Sequence, residues 1–157
     1  MKINIILPYK EKFDKFKSSA VSNTIINNLE YSKFKKYISI YGQDVENPIS
    51  PENFIGIKPP LLPFFSKNMH IAKKMCSKIL KEKNNINIIE IHNRPYLIDY
   101  IHKTITSCHI SIFFHNNPLE MKGSKSTEER KKILDKADFV FRVSEFVKSK
   151  FLSGISY

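Results

Sequence analysis

Ile110 to Leu119 reads ISIFFHNNPL. An apolar run biased to β-branched and aromatic residues stops abruptly at His115-Asn116-Asn117-Pro118. Such a run, apolar on both faces and closed by turn formers, describes a buried strand of a parallel sheet covered by helices. In sheets of that kind the ligand crevice lies beyond the carboxyl ends of the strands. His115 and Asn116 fall at that edge.

A second stretch repeats the form. Asn87 to Pro95, NIIEIHNRP, runs from a strand into His92-Asn93-Arg94-Pro95. Pro95 suits the first position of a following helix, with Asn93 or Arg94 at its cap. If the two strands are parallel, both His-Asn clusters point to one edge of the sheet.

The remaining chain alternates in the same way. Strands are expected over Lys2–Leu7, over Tyr37–Tyr41 (closed by Gly42), within a Pro- and Asn-rich loop at Phe54–Ile57, and over Ala137–Val143. Helical spacing places Val21, Ile25, Ile26 and Leu29 on one face of a helix over Ser18–Leu29. It makes Ile71, Ala72, Met75, Cys76, Ile79 and Leu80 the buried stripe of a helix over Lys67–Lys83. Leu97, Ile98, Ile101 and Ile105 form the inner face of a helix over Tyr96–Ile105. Ser126-Thr127-Glu128-Glu129 is a capping box, and Ser144 caps a last helix over Glu145–Leu152 that ends at Gly154. Pro59, Pro60 and Pro63 stiffen the far end of the long loop. The expected fold is α/β: a Rossmann-like, doubly wound, mostly parallel sheet with helices on both faces. At 157 residues one domain spanning 1–157 is the natural count.

Charge bears on partners. Lys and Arg number 26 against 15 acidic residues, a net charge of +11. That excess favours anionic partners, a membrane surface among them, although a lysine-, isoleucine- and asparagine-rich composition produces the same balance by itself. The basic, aromatic segment Tyr9–Lys17 and the lysine face of Lys73–Lys83 are the stretches to meet anionic lipid. No nucleic-acid recognition motif is present. No apolar run approaches the ~20 residues that cross a bilayer, and no leader opens the chain, so the expected location is the cytoplasm or the inner face of its membrane. Cys76 and Cys108 stand apart without metal spacing and read as small core residues away from strand ends. His92, His102, His109 and His115 show no ligand spacing either, so no metal site is expected. With four glycines there is no glycine-rich phosphate loop.

The candidate site residues are His115 with Asn116 and Asn117, and His92 with Asn93 and Arg94. His115 offers a polar contact to a ligand, or else caps a turn. The two asparagines serve equally as turn formers before Pro118. Arginine is scarce here, so Arg94 suggests an anion contact, the alternative being an ion pair that fixes its loop.

Taken together, IIEIHNRP (88–95), ISIFFHNNP (110–118) with MKGS following, ADFVFRVSEFVKSKFLSGI (137–155) and SAVS (19–22) carry a family likeness. The chain resembles the amino-terminal domain of retaining, family-4-type glycosyltransferases of the GT-B fold, in the bacterial branch that builds lipopolysaccharide and other envelope polysaccharides. The likeness runs through nearly the whole chain in order. Its most specific piece is Asp138 to Phe146. The resemblance implies transfer of a sugar from a nucleotide-sugar donor to a glycan or lipid-linked acceptor hydroxyl, with retention, no cofactor and no required metal. It implies that His115 faces the transferred sugar and that the loop around Ser18, Ser19 and Ala20 approaches donor phosphates and acceptor. His92, Asn93, Arg94, Asn116, Asn117, Ser144 and Glu145 are carried over as cleft residues. The family loop usually bears glycine where this chain has Ser18-Ser19. The resemblance further implies that the carboxy-terminal, donor-binding domain is absent from this chain, which is then expected not to turn over alone. A non-catalytic module of the same fold, binding a glycan, a lipid head group or a protein, is the competing expectation.

Overall fold

A computed structural model describes residues 1–61, 66–82 and 87–155. Its strands are β1 (Lys2–Ile6), β2 (Ile38–Gln43), β3 (Phe54–Ile57), β4 (Asn87–His92), β5 (Cys108–Phe114) and β6 (Phe139–Arg142). Its helices are α1 (Ala20–Tyr31), α2 (Lys67–Lys81), α3 (Ile98–Thr104), α4 (Thr127–Lys136) and α5 (Glu145–Leu152). All six strands pair in parallel, in the order β3-β2-β1-β4-β5-β6. The order turns back between β1 and β4, which is the switch point where open α/β sheets make their crevice. The α/β, Rossmann-like fold read from the sequence is therefore the fold observed.

Local chemistry sets the helix starts. Ser19, Ser66, Ser126 and Ser144 each cap a helix by accepting from the backbone N–H three residues on, and Ser126 with Glu129 closes a full capping box. Several boundaries differ from expectation. β2 runs through Gly42, which lies opposite Gly56 in the register, instead of stopping there. A Cβ on Gly42 would meet the Phe54 ring at 3.2 Å and Leu7 at 3.3 Å, so glycine serves close packing and not a turn. The segment after β4 begins as a 3-10 turn over Pro95–Leu97 before α3 starts. Cys108 opens β5 at its amino end, so one cysteine does sit at a strand terminus, on the edge away from the crevice. Leu80, expected in the stripe of α2, is 61% exposed. Pro63 and Lys83 lie outside the described residues, as do Ser156 and Tyr157. No helix among the described residues is long and apolar enough to cross a membrane.

Two apolar layers hold the sheet. On one face α2, α3, α4 and α5 bury Ile71, Met75, Ile101, Ile133, Val147 and Phe151 against Ile89, Ile91, Ile110, Ile112 and Phe114. On the other face α1 and the loop after β1 bury Val21, Ile25, Leu29 and Phe13 against Ile3, Ile5, Leu7 and Ile40. This second layer does not reach β6 among the described residues: Phe139, Phe141 and Val143 are exposed. His92, Phe113 and Phe141 lie side by side in the register on that face, with ring centroids 4.7 and 4.4 Å apart.

Candidate functional site

The ends of β4 and β5 are stitched together by Asn93. Its backbone N–H donates to the carbonyl of Phe113 at 2.9 Å, and its Oδ1 accepts from the backbone N–H of His115 at 2.8 Å. Asn93 has φ of +50°, a left-handed conformation that asparagine tolerates better than most residues. Held in this way, β4 and β5 present His92 and His115 to each other. The rings stack with centroids 5.1 Å apart, and His92 Nδ1 lies 2.9 Å from His115 Nε2. A contact that short between two ring nitrogens requires one proton between them, carried by one ring and accepted by the other.

The two histidines differ in their surroundings. His92 is only 1% exposed, and its Nε2 is buried without a hydrogen-bond partner; the nearest charge is Glu90 Oε2 at 3.7 Å. His115 is half-buried. Burial, then the neighbouring His92, push the His115 imidazole down to about 4, so it is neutral at physiological pH. Its other ring nitrogen, Nδ1, has no partner among the described residues and is not among the enclosed polar atoms without one. The pair therefore offers one open nitrogen at the carboxyl edge of the sheet, beside the switch point.

The other expected residues divide into those joined to the pair and those that serve their own turns. Arg94 donates from Nη1 to the carbonyl of Asn93 at 2.6 Å, and among the described residues it forms no ion pair. Arg94 precedes Pro95 in the 3-10 turn but makes no side-chain cap. Asn117 accepts from Leu119 N–H and donates to Glu120, which is the turn-forming role. Asn116 is exposed beside it. Ser144 caps α5 and Glu145 pairs with Lys148 at 3.2 Å, both at the end of β6. Ser18 is exposed, Ser19 caps α1 and Ala20 begins it; no hydrogen bond links them to the histidines among the described residues. Near them, Lys12, Asp14 and Lys17 face Asp44 and Glu46 across a cavity of about 510 Å³.

Asp138 opens the stretch that carries the strongest family likeness, yet it works at the opposite edge. It accepts from Ile110 N–H at 2.8 Å and pairs with His109 at 3.0 Å, and His109 above all holds its carboxyl below the usual range. His102 lies on α3, so of the four histidines considered together only His92 and His115 meet. Among the described residues no group of three or more His, Cys, Asp or Glu could hold a metal. Burial pushes both thiols up to about 11, which leaves Cys76 and Cys108 as unreactive thiols.

Two features of the structure escaped the sequence reading. Glu90 shares a strand face with His92 two positions later, a spacing that was visible in NIIEIHNRP. Arg130 is buried and gives its guanidinium to the carbonyls of Ser124, Lys125, Phe151 and Ser153, clamping the loop after β5 to the end of α5. Its partners are too distant in sequence for any local pattern to reveal them.

Comparison with protein-family models, with curated proteins and with solved structures gives no match.

Proposed function

We propose that this chain is the acceptor-binding half of a retaining glycosyltransferase, working with a donor-binding unit that supplies a nucleotide sugar. The observation that carries the reading is the His92–His115 pair at the carboxyl edge, with His115 neutral and one ring nitrogen open. A neutral imidazole there can hydrogen-bond a sugar hydroxyl without demanding a charge partner. The sequence likeness of the same strand ends to the GT-B amino-terminal domain supports the assignment. The acceptor is a glycan or lipid-linked glycan, and no metal enters the scheme.

A second support concerns location. Lys58, Lys73, Lys74 and Lys78 rim a cavity of about 850 Å³ between β3 and α2, over a floor that includes Ile55 and Ile57. Cations around an apolar floor suit the anionic surface of a membrane on which a lipid-linked acceptor resides. Binding to phosphatidylglycerol vesicles should fall when Lys73, Lys74 and Lys78 are changed to Glu, while phosphatidylcholine vesicles should bind neither form.

The test of the main reading is amide NMR of the chain titrated with a panel of bacterial surface oligosaccharides and, separately, with UDP-glucose. Glycan binding should move the Asn93, Arg94, His115 and Asn116 amides. Shifts gathered instead at Phe139–Val143 would favour the other reading, a non-catalytic module, which the exposed Phe139, Phe141 and Val143 support. A panel that moves nothing at the strand ends would sink the glycosyltransferase half.

A further inference from the structure

The buried Nε2 of His92 is unexplained by the pair itself. Within hydrocarbon-like surroundings an unpartnered polar nitrogen is costly, and its protonation depends on which group faces it. Among the described residues Glu90 is the charged group that approaches it. Glu90 sits two residues earlier on β4, on the same face of the strand, with Oε2 3.7 Å from His92 Nε2. Beyond Phe113, which stacks on His92 at 4.7 Å, that face carries no other charge close to the ring among the described residues.

Two proton arrangements are open to a neutral pair. In one, His92 donates from Nδ1 to His115 Nε2; its own Nε2 is then a bare lone pair facing a carboxylate, acceptor against acceptor. In the other, His92 carries its proton on Nε2, directed at Glu90, and its Nδ1 accepts from His115 Nε2–H. The second replaces a repulsion by a Coulombic attraction acting across 3.7 Å, longer than a hydrogen bond. It also leaves His115 with its exposed Nδ1 unprotonated.

We infer that Glu90 is a positioning residue: acting through His92, it fixes His115 as a hydrogen-bond acceptor, so that the ligand group met at this edge is a hydroxyl and not an anion. The relay runs from Glu90 to His92 Nε2–H, from His92 Nδ1 to His115 Nε2–H, and ends at the open His115 Nδ1. No proton is gained or lost along it. The ligand class rests on the reading of this edge as an acceptor site, whereas the tautomers are a property of the chain alone.

Long-range proton–nitrogen NMR of histidine-labelled protein at pH 8 reads the tautomers directly. Both His92 and His115 should be protonated at Nε2 and bare at Nδ1. Glu90→Gln keeps the shape and removes the charge, and should lower the ratio of this form to its alternative by roughly five- to tenfold. Glu90→Leu removes the carboxylate altogether and should abolish the preference for these tautomers. Position 90 is half-buried, so these variants are compatible with folding, which the same spectra report. A native protein with His92 protonated at Nδ1, or Glu90→Leu tautomers identical to native, would overturn the relay. Methyl α-glucoside should then shift His115 Nδ1 in the native protein, and inorganic phosphate should not. Correct tautomers combined with a response to phosphate alone would overturn the hydroxyl assignment and the acceptor-site reading together, while leaving the Glu90 relay in place.

Discussion

The β1–β3 side of the sheet and the β5–β6 side are built from similar apolar strands but treated differently. Around β1 and β2 both faces are covered: α2 packs below, while α1 and Phe13 pack above. At β6 the helical layer covers one face, and the other leaves Phe139 and Phe141 in contact with solvent. β4 is the boundary, and the buried His92 stands on it, joined to half-buried His115 on β5. The histidine pair thus stands where the second layer runs out. A histidine deep under α1 would have no route to a ligand, and one far out on β6 would keep an ordinary, solvated ring. The boundary alone offers both burial enough to hold a neutral imidazole and exposure enough to use it.

The comparison breaks most directly at Phe13. It is fully buried and stacks on Phe54 with centroids 5.4 Å apart. If the loop after β1 truly completes the second layer, Phe13→Ala should cost about 3–5 kcal/mol in urea unfolding. A cost below about 1 kcal/mol would mean that the layer is not needed and the two sides are alike.

On the one-layered side the corresponding dependence falls on Arg130. Its guanidinium serves four backbone carbonyls, and the Phe151 and Ser153 carbonyls lie at the negative end of the α5 dipole. Arg130→Ala strands those acceptors in a closed site, and should cost about 3 kcal/mol in the same measurement. Arg130→Lys should recover only a minor part, because one ammonium cannot span the carbonyls that a planar fork reaches.

At the boundary the test is pH. Folding lowers the His115 pKa to about 4, below its ordinary ~6.5, so the unfolded chain takes up this proton first. The stability due to neutral His115 is therefore fully present above about pH 6.5 and drains away as pH falls towards 4. For a half-buried ring, allowing for solvent screening, that is about 1–2 kcal/mol. Urea midpoints should fall across this window, and His115→Gln should flatten the fall. Asp138, with its carboxyl held low by His109 and Ile110, adds a loss at more acid pH and leaves this window to the histidine.

Much of this arrangement was legible in the chain. Apolar runs ending in His-Asn gave β4 and β5 with their shared edge, and Ser126 and Ser144 gave the starts of α4 and α5, while the caps Ser19 and Ser66 were seen only in the structure. What was lost depended on neighbours remote in sequence. Leu80 follows Ile79 directly and shares its composition, but the turn of the helix carries it outward. Arg130 reads locally as part of a solvated first turn, because its partners at Phe151 and Ser153 lie at the end of another helix. The run FVFRV has the look of a strand buried on both faces, and no pattern in it records that one face has no layer above it. The approach of Glu90 to His92 was available from strand spacing alone, but its consequence required the orphaned nitrogen to be seen.

The finest discrimination between the two sides comes from comparing like with like. Phe141 is an aromatic residue in a stacked pair, as Phe13 is, with Phe113 4.4 Å away, yet it is 45% exposed. Truncating it leaves no enclosed cavity, since solvent fills the space, so only the stacking and part of the area are lost. Phe141→Ala should therefore cost no more than about 1 kcal/mol, against several for Phe13→Ala. The size of this small effect also reports on His92. Phe113 is sandwiched between Phe141 and His92, and if removing Phe141 lets Phe113 move, the His92–His115 contact should loosen and the His115 pKa should rise towards its ordinary value. An unchanged pKa in Phe141→Ala would show that Asn93 and the β4–β5 register hold the pair without help from the open face. A raised one would extend the site across the aromatic row to β6.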